Sequence, residues 1–193
     1  IRADSLTEAI DVTKALVHLA PTTNQNVGII GGTGGQSVSM ADAFAKNKMK
    51  VPRLSPDSLE SLADFFQLIG AAYYNPIDIG GLNRPMLSTI VDTLFNDPQI
   101  GTVAIQMGSG LLQGNREDGL GQIELYESAR DRSGKPAFII YQAANPYEEG
   151  DALNELDVIL RQKGFPSFPD PDRAAKAINK VIDYYRFRSH LDE

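Results

Sequence analysis

Apolar and polar positions along the chain follow two periods, and the switches between them mark the elements. Val27-Gly28-Ile29-Ile30 is an unbroken apolar run, and the stretches 101–107 and 137–141 are similar. Short apolar runs rich in β-branched residues predict strands buried on both faces. Met49-Lys50-Val51-Pro52 and Phe165-Pro166-Ser167-Phe168 predict two shorter strands, the second edge-like. Between these runs the apolar spacing lengthens to that of a helix. Leu6, Ala9, Ile10, Val12, Leu16 and Val17 predict a helix that stops before Pro21, with Ser5 and Glu8 forming a capping box at its start. Further helices are predicted over 37–48 and from Ser58, where Leu59, Leu62, Phe65, Phe66 and Ile69 share a face. The run 84–96 turns Leu87, Ile90, Val91 and Leu94 inward. An open stretch, 113–121, precedes a helix through Arg132. The last two helices cover 148–163 and 171 to about 190, the latter with proline in its first turn.

Strands alternating with helices over the whole length imply an α/β fold with a parallel, doubly wound sheet. About five strands in a chain of 193 residues point to a three-layer flavodoxin-like order. The reading is one domain, 21–193, preceded by a lead-in helix, 1–20.

The candidate chemistry lies in three loops that leave the carboxyl ends of strands, where ligands of open α/β sheets bind. Gly31-Gly32-Thr33-Gly34-Gly35 follows the first strand and opens a helix through Gln36 and Ser37. Such a turn leaves N–H groups open to close approach, and the helix dipole adds positive charge, so it can cradle a phosphate. Ser37 and Ser39 can add hydroxyl donors, while the plainer reading is a tight turn that needs glycine at positive φ. The glycines fall as GGxGG with no lysine after them, which matches neither the mononucleotide nor the dinucleotide loop. Gly108-Ser109-Gly110 is a second source of backbone donors. The third loop, Asn75-Pro76-Ile77-Asp78-Ile79-Gly80-Gly81, reads as loop-organising, since Asp and Asn beside Gly and Pro shape turns; Asp78 facing a ligand is the alternative.

Composition narrows the field. A formal net charge of −7 argues against nucleic acid or an anionic membrane as partner, so an anion must bind through backbone dipoles. The absence of cysteine excludes disulfides, a thiol nucleophile and thiolate metal sites, and fits a cytoplasmic protein. No apolar run approaches the ~20 residues of a membrane span. His18 and His190 lie in helices away from the three loops, and no ligand cluster suggests a metal. Glu148-Glu149 and Asp192-Glu193 read as solvated charge, and Tyr184, Tyr185 and Phe187 as packing or interface. A start at Ile1 rather than Met reads as a piece of something longer. The inventory can hold a phosphoryl group but offers no side chain to act on one.

The order of these segments resembles NDP-forming acyl-CoA synthetases. The likeness rests on the run from Val27 through the glycine loop to Met40-Ala41-Asp42-Ala43, on Pro52-Arg53-Leu54-Ser55, and on Asn75-Pro76-Ile77-Asp78-Ile79-Gly80-Gly81. The opening Ile1-Arg2-Ala3-Asp4-Ser5-Leu6 and the closing stretch from Phe168-Pro169-Asp170-Pro171 to Ala177 add to it. A more distant likeness is to the carboxy-terminal domain of the succinyl-CoA synthetase β subunit, through Asp78-Ile79-Gly80-Gly81 and Met107-Gly108-Ser109-Gly110. The resemblance implies a ligase domain of an enzyme that joins a carboxylic acid to coenzyme A at the cost of Mg-ATP or GTP, through an acyl phosphate and a phosphohistidine. It implies that the helix after Gly35 aims its amino end at that phosphohistidine, held around Gly34, Gly35, Gln36 and Ser37, with Gly108, Ser109 and Gly110 closing the other side. It also implies missing partners, fused or as separate subunits of an oligomer: a CoA-binding domain, the phosphohistidine domain and an ATP-grasp domain. No cofactor is expected in this chain, which alone would be inactive. Two other readings stand beside this one, a stand-alone nucleotide- or phosphate-binding module and an interaction domain.

Overall fold

The computed structural model describes residues 1–63, 73–80, 84–142 and 150–191. Five strands, β1 (Val27–Gly31), β2 (Ile77–Asp78), β3 (Thr102–Gly108), β4 (Ala137–Gln142) and β5 (Ser167–Phe168), pair in parallel in the order β2-β1-β3-β4-β5. That is the flavodoxin-like strand order.

The side chains of each strand alternate between two cores, as a pleated strand buried on both faces requires. Val27 and Ile29 of β1, Ala104 of β3, and Phe138 and Ile140 of β4 face one side. There they meet α1 (Leu6–His18), α2 (Gly34–Lys46) and α7 (Pro171–Ser189), and Phe44, Phe138 and Phe168 form an edge-to-face chain with centroids 5.8 and 6.1 Å apart. Ile30, Val103, Ile105, Met107 and Ile139 face the other side. They pack against α3 (Pro56–Ala63), α4 (Arg84–Asn96), α5 (Arg116–Ser133) and α6 (Gly150–Gln162). Among the described residues no helix is long and apolar enough to cross a membrane.

Most helix ends agree with the sequence pattern, and the departures have local causes. Ser5 caps α1 by accepting from the Glu8 N–H, which is half of the expected capping box; the Glu8 carboxylate accepts from the Asp4 N–H at 2.6 Å rather than from that of Ser5. α3 starts at Pro56, before the expected Ser58, because Ser55 supplies the capping oxygen and accepts from the Ser58 N–H at 3.3 Å. The expected face through Phe65, Phe66 and Ile69 lies outside the described residues. α5 begins at Arg116, inside the stretch expected to be open, with Asn115 accepting from the Asp118 N–H.

The largest difference is at the sheet edge. Met49-Lys50-Val51-Pro52 makes only one bridge, Asn26 to Lys50, and the strand beside β1 is Ile77–Asp78. Pro52 has no N–H to donate, so the ladder stops there. The side chain of Asn75 fills the gap. Its Nδ2 donates to the carbonyls of Val27 and Pro52 at 3.0 and 2.8 Å, and its Oδ1 accepts from the Ile29 N–H at 2.9 Å. A side-chain amide thus satisfies the β1 groups that a neighbouring strand would otherwise bind.

Candidate functional site at the carboxyl ends of the strands

β1 ends at Gly31, opposite Asp78 of β2, and the Ile79 N–H donates to the Gly31 carbonyl at 2.9 Å. The next residue is tied to the third strand: the Gly32 N–H donates to Gln106 Oε1 at 2.8 Å. Across the loop, the Ser37 hydroxyl donates to Asp78 Oδ1. Ser37 is buried, so its hydroxyl is committed to the protein rather than offered to a ligand. Among the described residues Asp78 accepts from this hydroxyl and from no neighbouring N–H group. Ser39, also considered as a donor, lies exposed along α2.

The glycines divide into two groups by what surrounds them. A Cβ on Gly31 would collide with the Ser37 hydroxyl, and one on Gly80 would lie 2.6 Å from the Gly32 carbonyl oxygen. These two are needed for the loops to close on one another. Gly34 and Gly35 are different. A Cβ at Gly35 meets nothing within 4 Å, and one at Gly34 meets only an Asp78 oxygen at 3.4 Å, an ordinary contact. Neither has positive φ, so the turn does not demand glycine there. Both are exposed at the start of α2.

That start carries little of the protein's own capping. Thr33 precedes the helix in extended geometry but makes no side-chain cap bond, and the first turn has no acidic residue. The Gln36 and Ser37 N–H groups reach back to the Thr33 carbonyl at 3.0 Å. The Gly34 and Gly35 N–H groups precede these bonds and have no intrahelical acceptor. The side-chain Oε1 of Gln36 is buried and accepts no hydrogen bond.

Gly108 ends β3 and leads into a 3₁₀ turn, Ser109–Leu112, in which Gly110 is exposed and a Cβ would meet nothing within 4 Å. The fold thus places Gly31, Gly32, Thr33, Gly34, Gly35, Gln36, Ser37, Asp78 and Gly80 around the end of β1, and Gly108 at the end of neighbouring β3. Asn75 lies further down the β1 edge, and Gly81 is outside the described residues. His18 lines a cavity with Arg130, Lys135 and Pro136, at the start of β4, at the amino end of the strands. His190 ends α7, which starts just after β5 and runs back toward that same end.

Gln106 was not singled out from sequence, although one polar residue within the apolar run Val103-Ala104-Ile105-Gln106-Met107 is a signal. In a strand buried on both faces, a lone amide marks a partner that needs it.

Residues 27–111 match the Ligase-CoA domain. The chain is 26% identical, over its whole length, to the α subunit of an ADP-forming acetate–CoA ligase I of Pyrococcus furiosus, covering 40% of that protein. It is 26% identical to an ADP-forming acetate–CoA ligase I of Archaeoglobus fulgidus, over 95% of this chain and 24% of the relative. The chain therefore spans well under half of the curated relatives it matches. In fold it is similar to a crystal structure from Pyrococcus horikoshii, with a TM-score of 0.77 and 20% identity over 95% of this chain and 41% of the other. It is also similar to acetyl-coenzyme A synthetase 1 of Ca. Korarchaeum cryptofilum in complex with phosphate and ADP, with a TM-score of 0.72 and 24% identity over 98% of this chain and 39% of that one.

Proposed function

With residues 27–111 matching a Ligase-CoA domain, we propose that this chain is one domain of an NDP-forming acyl-CoA synthetase. Its α2 amino end would receive the phosphoryl group of a phosphohistidine carried by a sibling domain. In the complete enzyme a nucleoside triphosphate phosphorylates the histidine and leaves as the diphosphate. A carboxylate then takes the phosphoryl group to give an acyl phosphate. The thiol of coenzyme A displaces phosphate to give the thioester.

The observation that carries this reading is the pair Gly34 and Gly35. Glycine in a helix costs roughly 0.5–1 kcal/mol relative to alanine, and here neither internal contact nor backbone conformation requires it. What the two glycines provide is access: N–H groups at the positive end of a helix dipole, with no side chain in front of them. Preorganised dipoles of this kind stabilise a transferring phosphoryl group without a side-chain base. Asp78, the acidic group beside the cradle, is engaged by Ser37. The other Asp78 oxygen lies 3.4 Å from the position of a Gly34 Cβ, so a phosphoryl group approaches from the open Gly35 side.

The same inventory argues against a nucleotide bound here, since no lysine follows the glycines. Coenzyme A and Mg-ATP or GTP are assigned to the remaining parts of the enzyme, either fused to this chain or in a partner subunit. The test is Gly34→Val in the complete enzyme. Incorporation of acid-labile phosphate from labelled nucleotide is expected to fall by roughly 10²-fold or more, the scale of losing one preorganised donor. Binding of coenzyme A and the melting temperature should be retained. Wild-type phosphorylation of a folded Gly34→Val enzyme would refute the cradle.

A further inference from the structure

A helix on the surface of a domain ordinarily turns its apolar stripe to the core and its charges to water. In α1 all three charged residues are turned toward the domain instead. Asp11 is 2% exposed and accepts from Arg173 Nε and Nη2 at 2.7 and 2.8 Å. Lys180 Nζ lies 2.6 Å from a Glu8 carboxylate oxygen, and Lys14 Nζ donates to the Ser167 carbonyl at 2.9 Å. Val12 and Ala15 complete this inner face within the core.

The outer face carries Leu6, Ile10, Thr13 and Val17. Leu6 is 78% exposed, Ile10 50% and Val17 69%. Thr13 is exposed too, with its hydroxyl donating to the Ala9 carbonyl at 2.7 Å. That donor is already used within its own helix, so covering the stripe leaves no side-chain N–H or O–H unpaired. The spacing of four, three and four residues is that of alternating d and a positions in a coiled-coil seam, here ~16 Å long. In a chain of net charge −7, no charged side chain lies on the seam.

The stripe is its own complement. Set antiparallel against a second copy about a two-fold axis, it pairs Leu6 of one copy with Val17 of the other. Ile10 then meets Thr13, β-branched against β-branched at the centre, and each pairing occurs twice, as an isologous contact requires. Beside the seam, Thr7 of one copy lies by Lys14 of the other, and Ala9 by Leu16, so no two like charges meet. This setting also places the positive amino end of each helix beside the negative carboxyl end of the other. α7 lies between α1 and α2, so the seam is on the far side of α7 from the cradle.

We propose that the outer face of α1 is a two-fold interface with a second copy of this chain, formed by antiparallel packing of Leu6, Ile10, Thr13 and Val17. The interface uses no residue of the phosphoryl cradle, so the two stand or fall separately.

The experiment uses the complete enzyme carrying Leu6→Cys and Val17→Cys together, oxidised with diamide and mapped by peptide mass spectrometry. This chain has no cysteine of its own. Within one helix the two positions are ~16 Å apart, too far for a disulfide, so a bond between them joins two copies. The expected result is a disulfide between positions 6 and 17 at a level at least tenfold above any cross-link between copies in either single variant. The reduced double variant should melt at the wild-type temperature, since both side chains are exposed. Adding Ile10→Glu, which sets two carboxylates into the seam, should lower the cross-link yield at least tenfold. A yield indifferent to Ile10→Glu would mean chance collision and would overturn the interface. Bonds from 6 to 6 and from 17 to 17 would overturn its antiparallel two-fold. A bond from either position to a cysteine of a sibling domain, or no bond in the folded double variant, would overturn a second copy as the occupant.

Discussion

Gly31 and Gly35 stand four residues apart in one loop, and they answer to different constraints. The first is held by the Ser37 hydroxyl, which fills the space a methyl group would need. The second faces open space. Gly31→Ala should therefore separate Ser37 from Asp78 and cost about 1–3 kcal/mol, the usual scale of overpacking. Gly35→Ala should do the reverse, raising stability by roughly 0.5–1 kcal/mol while slowing phosphorylation of the complete enzyme. Thermal melts of both variants beside phosphorylation rates check this; a Gly35→Ala protein less stable than wild type would count against it. The glycine cluster itself was legible in the sequence. Its division into packing and open positions was not, because that depends on where Ser37 and the Gly32 carbonyl come to lie. Gln106 was legible only as an oddity, since nothing local says that the N–H it serves belongs to Gly32, 74 residues away.

Among the elements, the three inner strands and most helix cores follow directly from the apolar pattern, because strands buried on both faces leave long apolar runs. The edge beside β1 does not, because it is built from one bridge, one side-chain amide and two strand residues. No periodicity describes such a composite. Asn75→Ala should leave the Val27 carbonyl and the Ile29 N–H without their partner and cost about 2–3 kcal/mol, read by urea denaturation. An unchanged midpoint would mean that water serves these groups as well.

A second tie lies at the start of α3. Asp97 is buried and accepts from the N–H groups of Ser55 and Gln99, both at 2.7 Å. Burial pushes its carboxyl up, but hydrogen bonds from Ser58, Ser55 and Gln99 outweigh that and hold it below the ordinary value. With the folded value lower than the unfolded one, this group's contribution is fully present above the unfolded carboxyl range near pH 4 and is lost as pH falls through the folded value. Asp97→Asn should lower the melting temperature at neutral pH and flatten its decline in acid. An acid limb as steep as wild type would assign that decline to other groups.

At the scale of the whole molecule, the net charge of −7 and the exposed α2 terminus set the same requirement. An anion bound at this terminus would approach against the overall field, which favours one delivered over one collected from solution. A phosphoryl group carried on a sibling domain meets that need, because tethering supplies by proximity what long-range attraction does not. The chain's share of its relatives, 40% and 24%, leaves room for the domain that would deliver it. The parallel order β2-β1-β3-β4-β5 brings the ends of β1, β2 and β3 side by side. The sequence pattern implied this arrangement through its alternation of strand and helix. The cleft between α4, the 3₁₀ turn and α5 was not implied, since it is made by the junction of α4, that turn and a helix start that reads as open chain.

The measurement that bears most directly on the central claim is the amide resonances of Gly34 and Gly35, isotope-labelled within the complete enzyme, before and after phosphorylation of its histidine. Donation to a phosphoryl oxygen predicts large downfield proton shifts at one or both, reversed when the acid discharges the phosphoenzyme, with little change at Gly134 at the opposite end of the sheet. Gly34 and Gly35 amides that stay in place while the enzyme is fully phosphorylated would contradict the account.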